Sequence, residues 1–341
     1  MSSIAGIKQG RFTHLTTMDP EWAEIAPKHA PIDELANKLY RLPIEEFRKV
    51  PYKAPPLPGD APVAGRDLLI RTTEVAVKDG YKVGIRIYEP IQLGKGHVLF
   101  FNVHGGGWTV GTPETEEVQN RLVAVKNRAV VVSVDYRRAP EFPFPYALND
   151  SLDVLLWCKE NAESLGVDPN KIIVGGGSAG ANVSTVLAHI ARDEGISGII
   201  GQVLNIPVTC HPDHFPLSKY EYESYEQNAH SPLVTAERMR LFWNNYLPRA
   251  EADPRASPLL ATSLAGLPPA LVQVAGMDPL RDEGLAYTEA LRADGVDVTL
   301  KVYPGMPHAF YVYPELKSSV EYFQAIVDWI DRTTRDAPTA E

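Results

Sequence analysis

Ser178 sits in Gly176-Gly177-Ser178-Ala179-Gly180, between an apolar run that reads as a strand, Lys171 to Val174, and a helical pattern from Ala179 to Asp193. A serine on such a turn, with small residues two places to either side, presents its hydroxyl above the edge of a parallel sheet as a nucleophile. Serine is a poor nucleophile alone, so the chemistry asks for a histidine to take the proton and a carboxylate to hold the imidazole.

In an open α/β sheet the functional loops lie at the carboxyl ends of strands, so the two partners should follow the last two strands. Asp278 follows the apolar run Ala270 to Ala275, and His308 follows a strand pattern ending at Tyr303. Other histidines beyond Ser178 fall elsewhere: His189 on the helix behind it, and His211, His214 and His230 in a stretch without strand rhythm. Asp282 competes with Asp278, but Asp282 and Glu283 occupy a first helical turn, where the helix dipole already favours negative charge. Asp278 stands at the strand end before Pro279 commits the chain to a helix, and takes the orienting role.

Attack on a carbonyl places negative charge on its oxygen, and consecutive glycines let backbone N–H groups face that charge unobstructed. His104-Gly105-Gly106-Gly107-Trp108, directly after the strand Val98 to Val103, supplies such a run. The amides of Gly105, Gly106 and Ala179 are the expected oxyanion hole. His104 reads as a loop-orienting hydrogen-bonder rather than a second base.

These motifs require a scaffold of alternating strands and helices. Strands are expected at Val98 to Val103, Val130 to Val134, Ile172 to Val174, Ile199 to Ile206, Ala270 to Ala275 and around Val298 to Val302. Helices are expected from about Thr112, from Tyr146, after Ser178, from Leu280, and around Val320 to Ile330. Continuous Val/Ile/Leu strands separated by helices imply a mostly parallel sheet covered on both faces. Before it, Leu69, Arg71 and Thr73, then Val83, Ile85 and Ile87 after Asp79-Gly80, predict an antiparallel hairpin. Residues 1 to about 50 read as helical through Ile32, Leu35, Leu39, Ile44 and Phe47, Pro51 to Gly65 as a linker, and Arg335 to Glu341 as a frayed tail.

Between about 208 and 257 the strand rhythm lapses, leaving one clear helix capped by Thr235, with Met239, Phe242, Trp243 and Tyr246 on one stripe. The aromatics Tyr220, Tyr222, Tyr225, Phe242, Trp243 and Tyr246 are expected to pack on the core; lining a pocket is the alternative.

Together with Asp135-Tyr136-Arg137-Arg138-Ala139-Pro140-Glu141 and Asp278-Pro-Leu-Arg-Asp-Glu-Gly284, these motifs resemble the hormone-sensitive-lipase family of α/β-hydrolases, from about residue 68 to 330. The resemblance implies an α/β-hydrolase fold and a carboxylic-ester hydrolase, with Ser178 as nucleophile, His308 as base and Asp278 as orienter. It also implies a helical cap, giving four segments: cap helices in 1–55, core in 56–207, cap insertion in 208–257 and core in 258–341. Small or medium acyl esters are the expected substrates, by analogy with the family. Two departures stand out: Gly177, where many members carry an acidic residue or threonine, and Ala309, where glycine is frequent.

Other readings are weaker. Gly175-x-Gly177-x-x-Gly180 matches a dinucleotide fingerprint, yet the next strand ends in Pro207 and Val208 with no acidic residue for a ribose. His211-x-Asp213-His214 lacks further metal ligands. The same triad would serve an amide hydrolase or acyltransferase, and a non-catalytic small-molecule receptor is the alternative of another class.

A formal charge of -10 over 341 residues disfavours nucleic-acid and anionic-membrane partners. The two cysteines, Cys158 and Cys210, make no disulfide framework, which suits a reducing compartment. No apolar run reaches the about 18 residues of a membrane span, and no signal-peptide run opens the chain, so a cytoplasmic protein is expected. No cofactor or metal is called for, and monomer and homodimer stay open.

Overall fold

Valine-, isoleucine- and leucine-rich runs form the buried interior of an eight-stranded sheet in this computed structural model, which describes residues 10–51, 56–91 and 94–336. Its strands are β1 (Leu68–Ala76), β2 (Lys82–Pro90), β3 (His97–Val103), β4 (Val130–Asp135), β5 (Val167–Gly177), β6 (Ile199–Asn205), β7 (Ala270–Met277) and β8 (Val298–Pro307). Their order is β1-β2-β4-β3-β5-β6-β7-β8, antiparallel across the first two junctions and parallel from there on. The predicted hairpin is the β1–β2 pair, with Thr73 opposite Ile85.

Because side chains alternate across a strand, each central strand feeds two cores. Leu99, Phe101 and Val103 of β3 join one cluster; Val98 and Phe100 join the other. The first is covered by α4 (Tyr146–Glu160), α6 (Ala179–Glu194) and α9 (Arg281–Ala293), and the second by α3 (Glu117–Lys126) and α10 (Lys317–Asp336). The short α5 (Ala162–Leu165) leads into β5. This is the expected two-sided parallel architecture. The helix expected from about Thr112 starts later, at Glu117, because Thr112 to Glu116 form a turn in which Thr115 Oγ accepts the Thr112 amide.

The N-terminal region departs further from expectation. Thr13–Thr16 is a single 3-10 turn, followed by α1 (Pro20–Leu39), capped by Asp19, and α2 (Ile44–Phe47). Residues 1–9 lie outside the described residues. The helix spacing of Ile32 and Leu35 is realised, but those side chains are 61% and 56% exposed; α1 buries Trp22 and Ile25 instead, at its first turns. Trp22 packs beside Tyr313 at 5.1 Å between ring centroids. Of the linker, residues 52–55 lie outside the description and 56–63 form no helix or strand. The expected fraying begins at Arg335, yet α10 continues through Asp336; 337–341 are outside the description.

In the 208–257 insertion the capped helix is α8 (Ala236–Tyr246), where Thr235 Oγ accepts the Arg238 amide at 3.1 Å. A short α7 (Ser224–Gln227) and a 3-10 turn, Pro212–His214, accompany it. Cys158 and Cys210 are both buried free thiols. Among the described residues, no helix is long and apolar enough to cross a membrane.

Candidate active site

Ser178 occupies the one-residue gap between β5 and α6 with φ 55° and ψ -117°, a region a residue bearing Cβ enters only under constraint. The constraint is the approach of the elbow to the end of β3. A Cβ on Gly176 would lie 2.1 Å, and one on Gly180 1.9 Å, from the Val103 carbonyl oxygen. Only glycine fits either place, which gives the sequence motif its physical cause. Ala179 opens α6, so its N–H has no acceptor within the helix.

Both expected partners stand closer to the sheet than the sequence suggested, because the last two strands run longer. β7 extends to Met277 and β8 to Pro307, so Asp278 and His308 are each the first residue beyond a strand. His308 Nδ1 and Asp278 Oδ2 are 2.6 Å apart, with both residues buried, and Asp278 Oδ1 accepts the Leu280 amide at 2.8 Å. The carboxylate is thus fixed at one oxygen and faces the imidazole with the other. Ser178 is 7% exposed, and among the described residues its hydroxyl makes no hydrogen bond. The fold therefore joins Asp278 to His308 and leaves the Ser178–His308 link unmade in this conformation.

Asp282 is occupied elsewhere. Its Oδ2 accepts the amides of Glu223 and Ser224 at 2.7 and 2.8 Å, and its Oδ1 accepts Arg281 Nε at 2.7 Å. It fastens the insertion to the loop that carries Asp278, a role that first-turn charge did not reveal. Asn228 Nδ2 donates to the Asp278 carbonyl and Ser231 to that of Met277, on the same seam.

The glycine loop differs from expectation at one position. The Gly105 amide, expected to face the oxyanion, donates instead to Glu116 Oε1 at 2.9 Å. Among the described residues, the amides of Gly106 and Gly107 donate to no protein acceptor. Sequence reasoning missed Glu116, which reads as one of several acidic residues ahead of a helix.

His104 is buried, stacks on Tyr136 at 4.2 Å and bonds through Nδ1 to the Gly105 carbonyl at 2.7 Å. Burial holds its pKa down to about 3, so it stays neutral and orients the loop. Tyr136 in turn donates to the His104 carbonyl at 2.9 Å.

Phe242 lies against Gly107, whose φ is +57°; a Cβ there would fall 2.1 Å from the Phe242 ring. Trp108 stacks on Tyr246 at 4.1 Å and touches Trp243 at 4.7 Å. Phe242, Trp243 and Tyr246 are buried in the core, as expected, and the α8 stripe also packs down on the glycine loop, which the sequence did not indicate. Each such ring contributes roughly 1.5–3 kcal/mol by burial.

Residues 100–312 match the family model described as "alpha/beta hydrolase fold". The chain is 37% identical over 322 residues to an AB hydrolase superfamily protein of Schizosaccharomyces pombe, covering 92% of this chain and 93% of the relative. It is 38% identical over 235 residues to carboxylesterase NlhH of Mycobacterium tuberculosis, covering 67% of this chain and 71% of the relative. Among solved structures, vibralactone cyclase superposes with a TM-score of 0.81 at 28% identity, covering 98% of this chain and 100% of that one. The thermostable carboxylesterase EstE1, from a metagenomic library, gives 0.74 at 35% identity, covering 82% and 92%. With a nucleophile-type elbow after β5, paired acid and imidazole after β7 and β8, and these likenesses along its length, the chain belongs to the α/β-hydrolase fold family.

Proposed function

We propose that this protein is a serine carboxylesterase acting on small or medium acyl esters through an acyl-enzyme. The observation that carries the reading is the 2.6 Å contact between His308 Nδ1 and Asp278, at the same end of the sheet as the strained Ser178. With Nδ1–H donating to the carboxylate, Nε2 is the free base. The step asks the Ser178 hydroxyl to meet Nε2, a contact that tightens on substrate binding in enzymes of this kind. Oγ then attacks the ester carbonyl, His308 passes the proton to the leaving alcohol, and water hydrolyses the acyl-enzyme by the same route.

The oxyanion falls to the amides of Gly106, Gly107 and Ala179, each supplying about 2–4 kcal/mol in the transition state. The described residues 10–51, through α1 and α2, and the segment 208–257, through α7 and α8, form the cap. The carboxylesterase activity of relatives such as NlhH supports the choice of ester.

Ser178→Ala should abolish p-nitrophenyl ester turnover and fluorophosphonate labelling. Labelling retained at another serine refutes the assignment. A second reading keeps the same triad but has a hydroxyl, not water, take the acyl group; the end-to-end match with a protein named as a cyclase, not a hydrolase, favours keeping it. Product analysis with and without an added alcohol separates the two outcomes.

A further inference from the structure

Glu116 is a buried carboxyl that the catalytic steps above do not use. It stands at the end of the turn before α3, 4% exposed. Its Oε1 accepts the Gly105 amide at 2.9 Å. The same oxygen lies 3.3 Å from where a Cβ on Gly105 would begin and 3.2 Å from that point on Gly177, the residue before Ser178. It is therefore wedged between the glycine loop and the nucleophile elbow.

Among the described residues the other oxygen, Oε2, is buried with no hydrogen-bond partner. Among the described residues no cation pairs with this carboxyl: nearby Arg86 and Arg121 bind Glu114 and Glu117. Burial without a counter-charge pushes the pKa up to about 8, so the group is mostly neutral at pH 7. A neutral acceptor suits the place, because an ionised carboxylate beside the oxyanion donors would oppose the charge they stabilise.

We propose that Glu116 is a positioning residue for acyl transfer: by accepting the Gly105 amide, its carboxyl sets the loop bearing Gly106 and Gly107 against the elbow bearing Ser178. This rests on the serine-esterase reading. Removing the acceptor leaves a buried N–H without a partner, and the loop then turns to satisfy it. Oxyanion donors displaced by a fraction of an ångström lose much of their effect.

The test compares Glu116→Gln, Glu116→Ala and Glu116→Asp with Ser178→Ala on p-nitrophenyl acetate, after counting competent sites with a fluorophosphonate. Gln keeps a neutral carbonyl acceptor at the same reach; Asp keeps a carboxyl but withdraws it by one methylene. We expect Ala and Asp to lower kcat per titrated site by about 10- to 100-fold with KM within about twofold, and Gln to retain most of the rate. A merely structural Glu116 would change the number of competent sites and not their kcat. Wild-type kcat per site in both Ala and Asp overturns the proposal, as does Gln falling as far as Ala. Should Ala fail to fold, Asp alone decides. An active Ser178→Ala protein overturns the esterase reading itself, and the Glu116 proposal with it. A dead Ser178→Ala beside unaffected Ala and Asp variants overturns only the Glu116 proposal.

Discussion

Ser178 holds a backbone conformation that glycine tolerates and serine does not, at a cost of about 1–3 kcal/mol. Ser178→Gly should therefore unfold at higher denaturant than Ser178→Ala; equal midpoints would mean that the elbow stores no strain. Glu116 predicts a pH signature. Its pKa rises from 4.5 to about 8 on folding, so between those values the native state holds more protons than the unfolded chain. Its contribution is then lost as pH rises, with a slope of up to about 1.4 kcal/mol per pH unit. Glu116→Gln should gain stability over wild type as pH is raised from 5 to 8, measured by urea unfolding; a constant difference refutes the assignment. The two kinds of residue differed in legibility. The elbow position of Ser178 and the pairing of Asp278 with His308 were readable because each residue follows a strand pattern in order. Glu116 was not, because an acidic residue before a helix is ordinarily explained by the helix dipole, and only the fold brings it under Gly105.

Among the elements, the seam between the insertion and the β7–α9 connection separates two aspartates that looked alike in sequence. Asp278→Asn should lower kcat by about 10²- to 10⁴-fold with little loss of stability, since it disturbs the imidazole tautomer. Asp282→Ala strips the acceptor from two amides and from the buried Arg281 guanidinium. It should cost about 3–5 kcal/mol, read by chemical denaturation. The reverse pattern would exchange their roles. Strand identities were legible because buried parallel strands are continuous apolar runs. Their ends were not: β7 and β8 continue through Gly276-Met277 and Pro304 to Pro307, residues that carry no strand propensity and are held by pairing such as Met277 with Pro307. The exposed Ile32 and Leu35 failed for a related reason: spacing marks a helix face, and tertiary packing decides whether anything covers it.

Over the whole molecule, two buried histidines contribute to the acid limit. Burial holds His104 down to about 3 and His189 to about 4, from 6.5. Both are neutral in the native state, while the unfolded chain takes up protons below pH 6.5. Stability from these two groups is thus complete above 6.5 and lost as pH falls toward 4 for His189 and toward 3 for His104. Replacing His189, which bonds Tyr287 at 2.9 Å, with Gln should flatten the acid limb of a stability-versus-pH curve; an unchanged limb would count against it.

Arg281, without solvent exposure, ties distant parts of the chain together: Thr16 by Nη1 and Gln227 by Nη2, each at 2.8 Å, besides its bond to Asp282. Proteolytic trimming past Thr16 would therefore do more than shorten the polypeptide. It would uncover a buried cation in the helix turn that follows Asp278, where the Arg281 amide donates to the Asp278 carbonyl at 3.1 Å, and the clipped protein should lose ester turnover well before its secondary structure melts by circular dichroism.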